Sequence, residues 1–463
     1  MPYFLFVFLT LISWLSKVQA ESDSVDVLDP VVITATREGT PETKIANTMT
    51  VITADEIKAR RLNTVADVLR VVPGLDVVSA GGTGQQTSVF TRGANSNQTL
   101  VLIDNIQMND PGDPSNAFDF ANLQVDDIER IEVLRGAASA MWGADAMGGV
   151  IHIITKHGKG PASVNALLEG GNYDTYKVGA GVSGEQERLS YSLNTSHFSN
   201  LSVSAAAASM GNHERDKYEN TTLQSRFNYQ LTDALDLDWT LRYNAAETGL
   251  DNCGGSGYTS FNGQYVACDN PYYFMDTNQL YTRGQARWFL FDQMLEQRFG
   301  VNFTLSDRTT YYTAPVSSNW IPPNDNMGQQ TKVEWLNFLH LGKDDTLTLG
   351  VEGKFDSMNS QLGSGASATL SQSGMNNAGY YIQNQLDWLE RFHTTAGGRL
   401  DDNSRYGSHL TWRFNQVIEV PELSNRLKAN VGTAFRPPSL CELSLQCFGN
   451  PNLLPETSID WDA

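Results

Sequence analysis

The chain has 463 residues, 40% of them apolar and 18% charged, with 52 Asp and Glu against 32 Lys and Arg and a net charge of -20. That acidic balance excludes a basic nucleic-acid binder, whose phosphate contacts need a cationic surface. With 20 Phe, 17 Tyr and 9 Trp, it is also not an acidic disordered chain. After residue 20 no stretch approaches the roughly 20 apolar residues of a membrane helix, although barrel strands conceal their apolar face by alternation.

Residues 1–20 read as an export signal. Phe4 to Trp14 is an apolar core of signal length, and Val18-Gln19-Ala20 places small residues at the cleavage position. The amino end lacks the usual basic residue; Lys17 follows the apolar run. The four cysteines suit an oxidising compartment. Cys253 and Cys268 flank a Gly/Tyr/Asn-rich stretch, and Cys441 and Cys447 flank a short polar one. Neither pair has zinc spacing, and each is read as a local disulfide worth on the order of 2–3 kcal/mol.

From about Val31 to Lys156 the pattern is mixed α/β. Thr53 is placed to cap a short helix running through Asp55, Glu56 and Ile57 to Arg60 and Arg61. Thr64 to Arg70 is a second helix, stopped by Pro73-Gly74. Leu75 to Val78, Val89 to Arg92, Leu100 to Ile103 and Gly148 to Ile154 are short β-rich runs. Asp127 to Val133 alternates charge with Ile and Val, which suits a half-buried strand.

After Lys156 the alternation lengthens. Leu223, Phe227, Tyr229 and Leu231 share one strand face and Gln224, Arg226, Asn228 and Gln230 the other. Past a turn at Thr232-Asp233-Ala234, Leu235, Leu237, Trp239, Leu241 and Tyr243 oppose Asp236, Asp238, Thr240, Arg242 and Asn244. Leu347, Leu349, Val351 and Phe355, then Leu427, Ala429, Val431 and Phe435, continue the pattern. Such runs of about 10 residues, with short turns at one end and long Gly/Asn-rich loops at the other, mark a transmembrane barrel. A soluble β-sandwich shares the period; the export signal, the turn asymmetry and the aromatics favour the barrel. Tyr272-Tyr273-Phe274, Tyr311-Tyr312 and Tyr380-Tyr381 are candidates for its interfacial girdles.

Several motifs carry a resemblance. They are Asp29-Pro30-Val31-Val32-Ile33-Thr34-Ala35-Thr36-Arg37, Val71 to Val77, Phe90-Thr91-Arg92-Gly93, Leu100 to Asp104, Ile128 to Gly143 running on to Lys156, and Gly449 to Ser458. In this order they resemble the TonB-dependent outer-membrane receptors, and among them the cobalamin transporters. The resemblance implies an α+β plug domain inside an antiparallel transmembrane β-barrel that is incomplete in this chain: about 13 or 14 strand-like segments stand where the family has roughly 22. The corresponding divisions are a signal at 1–20, an amino-terminal segment at 21–40, a plug at 41–158 and a partial barrel at 159–463. Ala463 is not the aromatic residue on which such barrels usually end, so the chain is expected to be a truncated receptor.

The resemblance makes Asp29, Pro30, Val31, Val32, Ile33, Thr34 and Ala35 the Ton box. Its β-branched residues suit addition as a strand to a partner sheet, the partner being TonB with its inner-membrane energising complex. Arg92 and Arg135 are expected to meet barrel-wall carboxylates, with Glu334 the candidate, because a buried Arg needs an acidic partner. Ligand is expected on two outward plug loops: one at Gly81, Gly82, Thr83, Gly84, Gln85, Gln86 and Ser88, the other including Asn109 and Asp110. Calcium-binding relatives would place ligands at Asp216 and Asp251, joined by Glu214 and Glu219. These fall short of about 6–8 oxygens, and no cofactor is required. The reading is of a monomer in the outer membrane of a Gram-negative cell, in contact with its lipid and no nucleic acid, transporting cobalamin or another corrinoid. An iron chelate (siderophore or haem) and a non-transporting truncated remnant are the alternatives. The seven His fall in no HExxH, and no GxSxG elbow occurs, which argues against an enzyme.

Overall fold

The computed structural model describes residues 31–204, 215–251, 259–261, 264–266, 273–312, 321–362, 369–444 and 449–463. The export signal, Asp29, Pro30, Glu214, Cys253, Cys268 and Cys447 lie outside the described residues.

The first unit begins with a small hairpin of β1 (Val31–Val32) and β2 (Thr40–Pro41). There follow β3 (Met49–Thr53), helices α1 (Ala54–Arg60) and α2 (Val65–Arg70), and the hairpin β4 (Leu75–Ser79) with β5 (Thr87–Thr91). Next come β6 (Thr99–Ile103), β7 (Ile106–Gln107), β8 (Ile128–Arg135), the single turn α3 (Ser139–Trp142) and β9 (Gly149–Thr155). The sheet order is β3-β8-β9-β6-β7, with only β6 and β9 parallel.

Local sequence explains both helices. The Thr53 side chain accepts from Glu56 N–H while the Glu56 carboxylate accepts from Thr53 N–H, a reciprocal capping box. Thr64 accepts from Asp67 N–H in the same way. Apolar side chains of α1 and α2, among them Ile57, Val65 and Leu69, cover one sheet face through Val101, Ile103, Ile131, Val133, Ile151 and Ile153. The other face carries Leu100, Leu102, Leu134 and Val150, and packs against Val32, Trp142 and the wall residues Leu336, Phe338 and Tyr381. Because both faces are covered, β8 is buried almost throughout and Glu132 is fully enclosed. The alternating sequence alone suggests a half-buried strand.

The wall around this plug is one sheet of 14 strands, each antiparallel to the next. It opens with β10 (Ser163–Gly171), β11 (Thr175–Gln186), β12 (Leu189–Leu201), β13 (Lys217–Thr232) and β14 (Leu235–Gly249). A separate hairpin of β15 (Thr259–Phe261) and β16 (Gln264–Val266) intervenes. The wall resumes with β17 (Tyr273–Leu290), β18 (Leu295–Tyr312), β19 (Ile321–His340), β20 (Asp345–Leu362) and β21 (Thr369–Trp388). It ends with β22 (Phe392–Asn403), β23 (Gly407–Val420), β24 (Asn425–Arg436) and β25 (Glu456–Asp462). Among the described residues β10 pairs only with β11 and β25 only with β24, so the sheet does not close.

The period of two sets the two faces of the wall. Leu223, Leu237, Trp239, Tyr243, Phe299, Trp335, Leu349, Val351 and Trp412 stand exposed on the outside, while Gln224, Thr240, Arg242 and Asn244 are buried against the plug. Cross-strand rings stack on the outer face, Phe299 on Trp335 at 5.5 Å and Phe227 on Trp239 at 5.7 Å. The girdle expectation fails for Tyr381. Tyr380 points outward, but Tyr381 is the next residue of the same strand and so points into the lumen, where it is buried. Gly350 makes room for it, since a Cβ there would overlap the Tyr381 ring.

Candidate functional site

Residues 31–37 form an irregular segment of the plug held by bonds to both plug and wall. After the two-residue strand β1 the chain turns, with Arg37 N–H donating to Ile33 O at 2.8 Å. Val32, Thr34, Ala35 and Arg37 are all at most 3% exposed. Only Val31 and Val32 are extended, and residues 33–37 are folded against plug and wall. The physical reason is that backbone groups of this segment find partners in both plug and wall. Ile33 N–H and Thr34 N–H both donate to Glu132 Oε2 at 3.0 Å, and the Thr34 hydroxyl donates to the same oxygen at 2.6 Å. Trp142 Nε1 donates to Thr34 O at 2.7 Å, Arg413 Nη2 to Ala35 O at 2.7 Å and Arg298 Nη1 to Arg37 O at 2.7 Å.

The Arg37 guanidinium ends in a buried ionic network. It lies 3.4 Å from Glu334, 3.3 Å from Glu352 and 3.1 Å from the Tyr381 hydroxyl, with its charge over the Trp142 ring at 4.4 Å. Glu334 also binds Arg283 at 2.7 Å, Glu352 binds Lys332 at 3.0 Å and Arg399, and Arg399 binds Asp401 at 2.8 Å. Buried charges need partners, and here wall and segment supply each other's.

Arg92 and Arg135 do not meet Glu334. Arg92 pairs with Asp462 of β25 at 3.1 Å and is 40% exposed. Arg135 donates to the Thr50 hydroxyl and forms no ion pair among the described residues. Burial, with the adjacent Arg92 charge, lowers the Arg135 guanidinium from its ordinary value. Both arginines lie beside the β25 end of the sheet, six strands along from β19, so Glu334 takes Arg37 instead. The sequence did present Arg37, as the last residue of the amino-terminal motif. Glu352, Arg399 and Asp401 carried a weaker signal, as charges on the inward face of alternating strands.

At the outer end, the two plug loops are docked rather than open. Thr83 N–H donates to Ser202 Oγ at 3.3 Å, Gln85 Nε2 to Gly249 O at 2.6 Å and Thr248 Oγ1 to Gly84 O at 3.3 Å. Gly84 has φ +80 and lies under the Tyr218 ring, so no side chain fits there. Gly81 and Gln86 are exposed, and Gly82, Thr83 and Ser88 half-buried. Asn109 is buried, holding Val101 N–H at 3.0 Å and the Thr99 and Asn116 carbonyls. Asp110 binds Arg308 of the wall at 2.7 Å. Asn109 and Asp110 are thus committed to the fold, which leaves Gly81 and Gln86 as the exposed positions of the expected ligand loops.

Asp216 is buried, and Asp251 accepts from Ser204 Oγ at 2.9 Å. Glu219 is bound to Lys217 at 3.1 Å. Among the described residues no three acidic, His or Cys side chains gather as a metal site. Cys441 is disulfide-bonded. A cavity of about 1230 Å³ between α1 and the inner faces of β10–β13 contains none of the expected ligand residues. No helix among the described residues is long and apolar enough to cross a membrane.

A plug filling the inside of an outward-apolar antiparallel wall is the architecture of an outer-membrane receptor. Residues 41–150 match the TonB-dependent receptor plug domain and residues 163–463 the TonB-dependent receptor-like β-barrel, and the chain belongs to that family of receptors. Among solved structures it is similar to the ferric enterobactin receptor PfeA of Pseudomonas aeruginosa in complex with enterobactin (18% identity, TM-score 0.70, covering 90% of this chain and 69% of that one). The siderophore receptor PirA of Acinetobacter baumannii gives 19% identity and TM-score 0.67 over 89% and 67%. P. aeruginosa FpvA bound to heterologous pyoverdines gives 15% identity and TM-score 0.71 over 88% and 59%. These neighbours are siderophore receptors, so the narrower resemblance to cobalamin transporters gains nothing from them.

Proposed function

We propose that the chain is the receptor part of an energised uptake system for an iron chelate in the outer membrane of a Gram-negative cell, and that residues 29–35 are its Ton box. The observation that carries this reading is the stowed segment 31–37. It is held largely by hydrogen bonds and ion pairs, which a partner strand and water can replace group for group. Energy delivered from the inner membrane through TonB can then act on a segment that is folded at rest. Two features support an iron chelate over a corrinoid. The solved neighbours are siderophore receptors, and the glycine-rich loop commits Thr83, Gly84 and Gln85 to the wall. Cobalamin remains the second reading, on the composition of Gly81 to Ser88.

The test is a titration of the purified chain in detergent with ferric siderophores, haem and cyanocobalamin, following tryptophan fluorescence. Saturable quenching at submicromolar ferric chelate, with none from cobalamin, is expected. Saturation by cobalamin alone would return the reading to a corrinoid, and no saturation by any of them would contradict both.

A further inference from the structure

Glu132 is fully enclosed in the plug sheet, yet one of its two carboxylate oxygens is given over to the amino-terminal turn. Oxygen Oε2 collects three donors from the amino-terminal turn: Ile33 N–H, Thr34 N–H and Thr34 O–H. Oxygen Oε1 is fixed by Arg130 Nε at 2.8 Å. His152, paired with Glu132 across β8 and β9, stands on the other side of the same hydroxyl, with Nδ1 at 3.2 Å from Thr34 Oγ1. Its Nε2 accepts from Asn105 N–H at 3.2 Å. A neutral ring accepting at Nε2 carries its proton on Nδ1, so the polarity of the chain is fixed: Asn105 N–H to His152, His152 Nδ1–H to Thr34, Thr34 O–H to Glu132.

We propose that Glu132 and His152 form an internal clasp that keeps the Ton-box turn stowed, a positioning role separate from the Arg37 ion pairs with the wall. A charged acceptor holding three donors is stronger than the neutral bonds it replaces. Unmaking it leaves Oε2 of a buried carboxylate without its three donors, so the turn leaves as a unit. The clasp also connects to the outer face. Asn105 O accepts from Arg283 and Asn302 of the wall, both at 3.3 Å. Five residues on, Asp110 binds Arg308. A shift of the turn at 104–110 withdraws the Asn105 amide and frees the ring that orients Thr34.

The inference rests on the reading of residues 29–35 as the Ton box, but its test needs neither ligand nor partner. Ala35→Cys places a thiol at a position 2% exposed, and its rate of maleimide labelling in the full chain in detergent, corrected for the unsubstituted chain, reports release of the turn. Adding Glu132→Gln should raise that rate at least fivefold, with global unfolding of the chain unchanged. A rate within twofold of the parent would overturn the clasp. Should Glu132→Gln fail to fold, Thr34→Val decides in its place, since it removes only the shared hydroxyl: a raised rate supports the clasp and an unchanged one overturns it. If labelling rises but no TonB fragment is captured, the clasp stands and the Ton-box reading fails.

Discussion

His152 shows how much of this plug is set by single buried groups. Burial is the main influence on its ring, and although the Glu132 and Asp104 carboxylates oppose it, the ring is pushed down to about 4 from 6.5. A base whose folded value is depressed binds protons more readily in the unfolded chain. Its contribution is complete above about pH 6.5 and is lost as pH falls towards 4, on the order of 3 kcal/mol in all. Urea unfolding of the chain at about pH 7.5 and 4.5 should show that loss in the parent, and a smaller one in His152→Gln; equal losses would assign the effect elsewhere. Arg399 gives a second prediction. It is 1% exposed and serves both Glu352 and Asp401, so Arg399→Met leaves two buried carboxylates short of a cation and should cost about 3–5 kcal/mol of unfolding free energy. These roles were only partly legible. Glu132 stands in the sequence as one of several alternating charges and His152 as a polar residue in an apolar run, but nothing local tells a buried acceptor from a solvated one. What decides it is the burial of β8 on both faces.

At the scale of elements, the legible parts were those with local causes. The Thr53 cap with Glu56, the turn at residues 233–234 and the alternation of β13 and β14 follow from spacing alone. The state of residues 31–37 does not, because its partners lie about 100 residues away in Glu132 and Trp142 and about 300 away in Glu334 and Glu352. Arg92 and Arg135 failed for the same reason: the need for an acidic partner is readable, whereas the flank of the plug they occupy is not. Ile33→Pro removes the N–H that now binds Glu132 and would later bind a partner strand. It should reduce capture of a TonB fragment at least tenfold, about 1.4 kcal/mol, with ligand binding unchanged; undiminished capture would sink the assignment. The bonded state of Cys441 carries a further expectation. Non-reducing peptide mapping should find Cys441 joined to Cys447 and Cys253 to Cys268, and cross-pairs would refute the local pairing.

Across the whole molecule, the wall is a sheet whose end strands, β10 and β25, each pair on one side only among the described residues. Strands at such edges present N–H groups without partners, and opening is easiest where backbone bonds are fewest. Amides of Ser163–Gly171 and Glu456–Asp462 should therefore exchange with deuterium well before those of β18 and β19, which are paired on both sides. Equal protection would mean that the edges are joined in solution. The count of strands was legible because runs with a period of two recur between turns; which residues the lumen buries was not, since the plug decides it. The central claim is that a ferric chelate at the outer face frees the stowed segment for TonB at the inner one. Its most direct test is the affinity of a TonB fragment for the purified chain with and without ferric chelate. The account predicts at least tenfold tighter capture with the chelate and no change with cyanocobalamin; capture that ignores the chelate, or that responds to cyanocobalamin instead, would contradict it.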